Sequence, residues 1–328
     1  MSKNLLSRTN IIWTVLVLVL FALMTLLMQM GIINSYYQSV IFNICINIIL
    51  AVSLNLIVGI CGQFSLGHAG FMAIGAYSAG IITKMIPNYW GMLLGILVGF
   101  VISTVAALIV SIPTLRLKGD YLAIATLGFS EIIRICIQNM KITNGAAGLT
   151  GIPQLTTWPI FFFCMILAIM ICTSFVKSAP GRACIAINDD EIAAEAMGIN
   201  TTRFKVIAFV VGAILASLAG AIMANYFYVL TPGQFTFNRS IDILVMVVFG
   251  GMGSMSASVI AAILIGLLNM YLQQFTDLRM IIYGAALVLM MIFRPQGILG
   301  TWEFSLEKLL EKWKARASNK GSRRRYYG

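Results

Sequence analysis

Between Ile11 and Ile33 the chain runs for 23 residues without a charged side chain. A helix needs about 20 such residues to cross the ~30 Å hydrocarbon layer of a bilayer, so this stretch is long enough to span. Lys3 and Arg8 precede it, as basic residues precede the core of a signal peptide, but those cores are about 7 to 15 residues long and lead to a small-residue cleavage site. Neither feature is present, and the run reads as a retained helix. Apolar runs and the breaks between them place spans at 11–33, 37–60, 64–86, 91–112, 120–138, 158–176, 206–230, 240–256, 258–275 and 279–293. Composition agrees: 10% of residues are charged and 60% are hydrophobic, whereas a soluble domain carries about 25% charged residues. The expected fold is an all-α integral membrane protein with about ten transmembrane helices.

Basic residues orient the spans, because cytoplasmic segments carry an excess of Lys and Arg. With the N-terminus in the cytoplasm, the inner segments are 1–10, 61–63, 113–119, 177–205, 257 and everything from Arg294, and they hold 17 of the 22 Lys and Arg residues. Lys84, Lys141, Arg239 and Arg279 fall near outer ends, and Arg134 lies within a span. Both the N- and C-termini are therefore expected to be cytoplasmic. The chain divides into a cytoplasmic N-terminus (1–10), a transmembrane domain (11–293) with a long inner loop (177–205), and a basic cytoplasmic tail (294–328). The helix count is 8–10, because "GICGQFSLGHAG" (59–70) and "GGMGSMSAS" (250–258) each read either as a re-entrant segment or as a turn between full crossings. Irregular backbone at membrane depth is tolerated only where protein or a water-filled cavity surrounds it.

The net charge of +11 would suit nucleic acid, but the basic residues concentrate in the tail at Arg316, Lys320 and Arg323 to Arg325. A polybasic end beside a membrane points to anionic lipid instead. Cys45, Cys61, Cys136, Cys164, Cys172 and Cys184 lie in or beside apolar runs without a C-x-x-C spacing, so they read as small buried residues, with no metal site or disulfide framework.

Polar residues inside the spans are candidates for a transport path. Asn43, Asn47 and Asn55 share a helix face by spacing, which suits either interhelical hydrogen bonding or the lining of a path. Gln63, Ser65 and His68 sit among Gly62, Gly67 and Gly70. His68 is the sole histidine, so it cannot build a metal site or a triad; it is a hydrogen-bonded structural residue or, with Gln63 and Ser65, part of a polar break that meets solute at midplane depth. Glu131 and Arg134, three apart on one helix, can pair, which lowers the cost of charge in lipid; structural pairing and pathway lining are both open. Arg239 and Asp242 have the same spacing near an outer boundary and read as an anchor. The outer loop "TNGAAGLTGIP" (143–153) reads as a plain connection or as a docking point for an external partner.

The inner loop holds "NDDEIAAEAMGIN" (188–200), with four of the chain's eleven acids at Asp189, Asp190, Glu191 and Glu195. Asp189 or Asp190 can cap a helix start, Glu191 sits near its positive end, "IAAEAM" forms helix well, and Gly198 suits the position after its end. A helix of about two turns is marginal alone and must be braced by packing. Ala193, Ala194 and Ala196 leave room for another surface to approach, and Arg182, Arg203 and Lys205 flank the stretch with opposite charge.

"AAEAMG" fits most of the E-A-A-x-x-x-G signature on the cytoplasmic coupling helix of ATP-binding-cassette import permeases, with Ala193, Ala194 and Gly198 in register and Ile192 in the Glu position. "RLKGDYLAIATLGFSEIIRI" (116–135), "GRACIAINDDEIAAEAMGINTTRFKVIAF" (181–209), "SIDILVMVVFGGMGS" (240–254) and "FRPQGILG" (293–300) together resemble the branched-chain amino-acid ABC transporter permease family, LivM type. The resemblance implies a multi-pass permease subunit of the bacterial plasma (inner) membrane that translocates Leu, Ile and Val. It implies pairing with a second related permease subunit, two cytoplasmic ABC ATPase subunits that bind ATP and Mg, and an extracytoplasmic substrate-binding protein. Asp190, Glu191, Ala193, Ala194, Glu195 and Gly198 would form the ATPase-coupling helix, and Asn55, Gln63, Ser65, His68 and Glu131 are the candidate translocation path. The chain itself has no G-x-x-x-x-G-K-[ST] phosphate loop, so ATP hydrolysis falls to another polypeptide; no catalytic residue, metal or cofactor is expected in this chain. Relatives of the family carry urea or short amides, and no motif separates that reading from branched-chain amino acids. A stand-alone secondary carrier or channel would need several ionisable groups at midplane depth, and only Glu131 and Arg134 qualify. A membrane enzyme would need a catalytic constellation that one His and no clustered carboxylates do not supply.

Overall fold

The computed structural model describes residues 3–114 and 120–272, together with positions 282, 284, 285, 297 and 300. The chain divides into two units, residues 1–38 with 303–328, and residues 39–302. In the first unit, α1 (Lys3–Gln29) contains the uncharged stretch Ile12–Gln29. It begins eight residues ahead of the expected span, because a helix need not end where its apolar run does.

The described residues of the second unit are mostly helical. α2 (Ser35–Asn55) enters it and passes into a π turn over Leu56–Ile60. There follow α3 (His68–Met85), α4 (Tyr89–Thr114), α5 (Asp120–Asn139), α6 (Trp158–Lys177), α7 (Ala179–Asp189), α8 (Glu191–Ala196), α9 (Thr201–Ala224), α10 (Phe237–Gly250) and α11 (Met255–Leu272). α3, α4 and α9 pack against one another, and α3 is buried along nearly its whole length. Lipid tails are as apolar as leucine, so helices in a membrane gain by bringing their backbones close together through small residues. Gly75 of α3 lies against the backbone of Ser217, and Gly220 of α9 against that of Met72; a Cβ at either position would strike a carbonyl oxygen.

Two ends can be told apart. At one, Thr156 just before α6 donates its N–H to Asn225 and its hydroxyl to Ile222 at the end of α9. Phe42 of α2 stacks there on Phe161, with Tyr226 edge-on to both rings. The same end holds a two-residue antiparallel ladder, β1 (Leu149–Thr150) with β2 (Val229–Leu230). α6 and α9 are thus antiparallel, and the far end, where α6 finishes and α9 starts, carries α7 and α8.

Six described helices are long and apolar enough to cross a membrane: Ile12–Gln29, Ser35–Ile60, Tyr89–Thr114, Tyr121–Asn139, Trp158–Lys177 and Thr201–Ala224. The expected runs at 64–86 and 240–256 correspond to α3 and α10, which are helical but shorter than those runs, and the run at 258–275 corresponds to α11, which starts earlier, at Met255. α10, with 14 residues, reaches about 21 Å at 1.5 Å per residue, less than the hydrocarbon thickness. The run at 279–293 and the basic tail lie almost entirely outside the described residues. α9 starts at Thr201 and not at 206, because Asn200 caps it through the Arg203 N–H and Lys205 finds a partner outside the apolar layer. The loop over 143–153 is also more built than its glycines suggest. Leu149 and Ile152 are buried, Thr150 accepts from Lys84 Nζ at 2.9 Å, and Asn144 adopts a left-handed turn.

Candidate functional site

The acidic stretch forms α8. Asp190 is its N-cap: Oδ1 accepts from the Ile192 N–H at 2.9 Å and the Ala193 N–H at 3.0 Å, two of the donors that a helix start leaves without a partner. Asp190 also closes α7, its own N–H going to Ala186 O. At the other end, Gly198 takes φ +81°, its N–H bonds Glu195 O, and the Ile199 N–H bonds Ala194 O. That pair of bonds is the Schellman arrangement, for which glycine is the favoured residue.

Of the remaining acids, Glu191 and Glu195 reach to α9, while Asp189 is exposed on α7. Glu191 pairs with Lys205 of α9 at 2.6 Å, and Glu195 Oε1 accepts from the Thr201 hydroxyl at 2.8 Å. Ala194 is buried beneath the helix. With its charges committed to holding it down, α8 presents Ile192, 78% exposed, and Met197, 82% exposed, beside Ala193 and Ala196. Ile192, which departs from the Glu of the coupling-helix signature, stands at the exposed apolar face, while both neighbouring glutamates serve the helix's own anchorage.

The polar residues in the membrane region form a second group around the two glycine-rich breaks. The breaks meet: Asn55 donates Nδ2–H to Ser254 O at 2.9 Å and accepts from the Gly253 N–H at 2.9 Å through Oδ1. Gly59, one turn later, lies so close to the Gly253 backbone that a Cβ has no room. His68 begins α3 and is 1% exposed. Its Nε2 lies 2.7 Å from Ser53 Oγ, whose proton goes to Leu50 O. Nε2 is therefore the donor. Ser65 is buried and accepts from the Gly67 N–H. Buried Gln63 reaches Cys61 Sγ with its Nε2, and its Oε1 has no partner among the described residues.

The start of α3 shows residues that spacing did not single out. Thr126 of α5 accepts from the Leu66 N–H and Ser240 of α10 from the Ala69 N–H, so hydroxyls from neighbouring helices satisfy donors at a buried helix end. Their one available signal was a polar residue inside an apolar run. Glu131 takes another direction. One oxygen pairs with Arg134 at 2.7 Å, and the other accepts from the Phe237 N–H, which opens α10, at 3.2 Å. Among the described residues no hydrogen bond joins it to Asn55, Gln63, Ser65 or His68, so the five candidates do not form one cluster. Asn43, Asn47 and Asn55 likewise part company: Asn43 bonds Ser39 O of its own helix, while Asn47 accepts from Arg239 at 2.8 Å, the contact by which Arg239 anchors α10 to α2.

Cys61, in the first break, and Cys184 of α7 are buried.

Comparison with known proteins identifies the family. The family model described as branched-chain amino acid transport system / permease component matches residues 36–291. The high-affinity branched-chain amino acid transport system permease protein LivM of Salmonella typhimurium is 35% identical over 297 residues, covering 77% of this chain and 68% of the relative, and LivM of Escherichia coli has the same identity and coverage. LivH of Escherichia coli is 32% identical over 162 residues, 48% of this chain and 50% of that protein. No solved structure matches the chain. With a family model covering more than half of its residues and long relatives of this identity, the chain belongs to the branched-chain amino acid transport system permease family.

Proposed function

We propose that the chain is the membrane-spanning permease subunit of an ATP-driven importer of branched-chain amino acids in the bacterial plasma membrane. It pairs with a second related permease and binds two cytoplasmic ATPases through the α8 end. The ladder end, between β1 and β2, faces outward toward a substrate-binding protein. The observation that carries the reading is the outer face of α8: a capped, glycine-terminated helix whose acids are spent on its own anchorage and whose Ile192 and Met197 are left to water. Large apolar side chains exposed together on a polar-rimmed end mark a protein contact, and a helix laid in a groove is a recurring mode of docking. Relatives named as LivM support the substrate, and the LivH likeness supports a two-permease assembly.

In mechanism, ATP-driven closure of the partners presses on α8. Its short links to α7 and α9 turn that push into movement of the helices around the breaks, which switches access between the two sides. The test is gentle purification from the native membrane, identification of the co-purifying chains, and measurement of ATPase activity with loaded binding protein. The expected result is recovery of an ATPase and a second permease, with stimulation by Leu, Ile or Val. Preferential stimulation by urea would replace the substrate, and a chain that transports alone on an ion gradient would overturn the proposal.

A further inference from the structure

The two breaks are joined not only to each other but also to the helix that leads into α8. After the π turn over Leu56–Ile60, the Gln63 N–H reaches back to Ile57 O, so the Gly59 carbonyl belongs to a helix end, where carbonyls need partners from outside the helix. It accepts from Asn188 Nδ2 at 3.3 Å. Asn188 also lies against Gly62, whose φ of +68° turns the chain there and whose missing Cβ makes room for the amide. Cys184, one turn earlier on α7, donates to Phe204 O of α9. Four residues before Gly59, Asn55 grips Gly253 and Ser254. Asn188 itself is followed within two residues by Asp190, which closes α7 and opens α8.

We propose that Asn188 is a positioning residue for coupling: its amide donor holds the Gly59 carbonyl, so that a displacement of α7 and α8 carries both breaks with it through Asn55. The proposal rests on the reading of α8 as the ATPase-docking helix. Asn188 lies on α7, not on the face of α8 that carries Ile192 and Met197, and its position is exposed. Its hydrogen bond is one of few polar links between the α7–α8 segment and the first break, and packing alone lets two helices slide where a directional bond to a fixed carbonyl does not.

The test uses the full complex reconstituted in lipid vesicles. Asn188→Asp keeps the size of the side chain but cannot donate to Gly59 O, and at an exposed position it is tolerated by folding. Asn188→Gln keeps the donor. The expected result for Asn188→Asp is unchanged assembly and unchanged basal ATPase rate, with stimulation by loaded binding protein and solute moved per ATP both lowered about tenfold, the ordinary size of a coupling effect. Asn188→Gln is expected to retain most of both. Wild-type coupling in Asn188→Asp overturns the assignment. So does an equal loss in the two variants, which would trace the effect to shape, and so does a parallel loss of basal ATPase or assembly, which would make the residue merely structural. A wild-type chain that recruits no ATPase fails the proposed function instead, and the two failures are told apart in the same preparation.

Discussion

α8 and the paired breaks are both polar places in an oily chain, and they use polarity in opposite ways. Around α8 full charges are affordable because water reaches them, and Glu191 and Glu195 are consumed in pinning the helix to α9 while its apolar side faces out. In the breaks the polar groups are amides and hydroxyls, several of them paired with backbone at close range: Asn55 on Gly253 and Ser254, Thr126 and Ser240 on the start of α3, while the buried Gln63 Oε1 has no partner among the described residues. Charge inside a membrane is costly, and the ion pair within α5, Glu131 with Arg134, is neutralised and further bonded to α10. The contrast separates an end that leaves an apolar face exposed from an interior that holds irregular backbone.

The interior should be the more sensitive of the two. Asn55→Ala strands the Gly253 N–H and the Ser254 carbonyl in a buried site, at a cost of about 3 kcal/mol for two unsatisfied groups; the folded fraction on size exclusion in detergent should fall sharply, and a well-behaved variant would break the account of the joined breaks. Glu131→Ala removes the N-terminal contact of α10 and leaves Arg134 uncompensated, costing about 2 kcal/mol, while Glu131→Gln keeps an acceptor and should lose about half of that. Equal thermal midpoints for the two would show that Phe237 does not depend on this acceptor. At the exposed end the effects are smaller. Asp190→Ala loses an N-cap worth about 1 kcal/mol, visible as faster proteolysis or amide exchange over residues 188–200 with little change in global melting. Glu191→Gln loses a partly exposed ion pair worth under about 1 kcal/mol, and the difference from wild type should vanish at high salt. A salt-insensitive difference would mean that Glu191 acts by shape.

Legibility followed the range of the interactions involved. The cap at Asp190 and the turn at Gly198 are local rules, read correctly from a few neighbouring residues. The breaks announced themselves through glycine and serine, but nothing local says that residue 55 will meet residue 253, or that Ser53 will hold His68. Those contacts come from tertiary packing between segments almost 200 residues apart in the first case. Glu131 shows the same limit: spacing predicted its pairing with Arg134, and the backbone N–H of a helix 106 positions away took its other oxygen. The order in the loop over 143–153 was not legible because Leu149 and Ile152 are single apolar residues among glycines, and their burial depends on β2 and α3.

The central claim is that the exposed apolar face of α8 is where an ATPase docks. The most direct measurement replaces Ile192 and Met197 together with Asp in the reconstituted complex and follows ATPase co-purification and ATP-dependent uptake. Both side chains point away from the core, so the variant should fold and reach the membrane as wild type does. The account predicts that the ATPase is lost from the complex and uptake falls to background. Retained ATPase with undiminished uptake would contradict it.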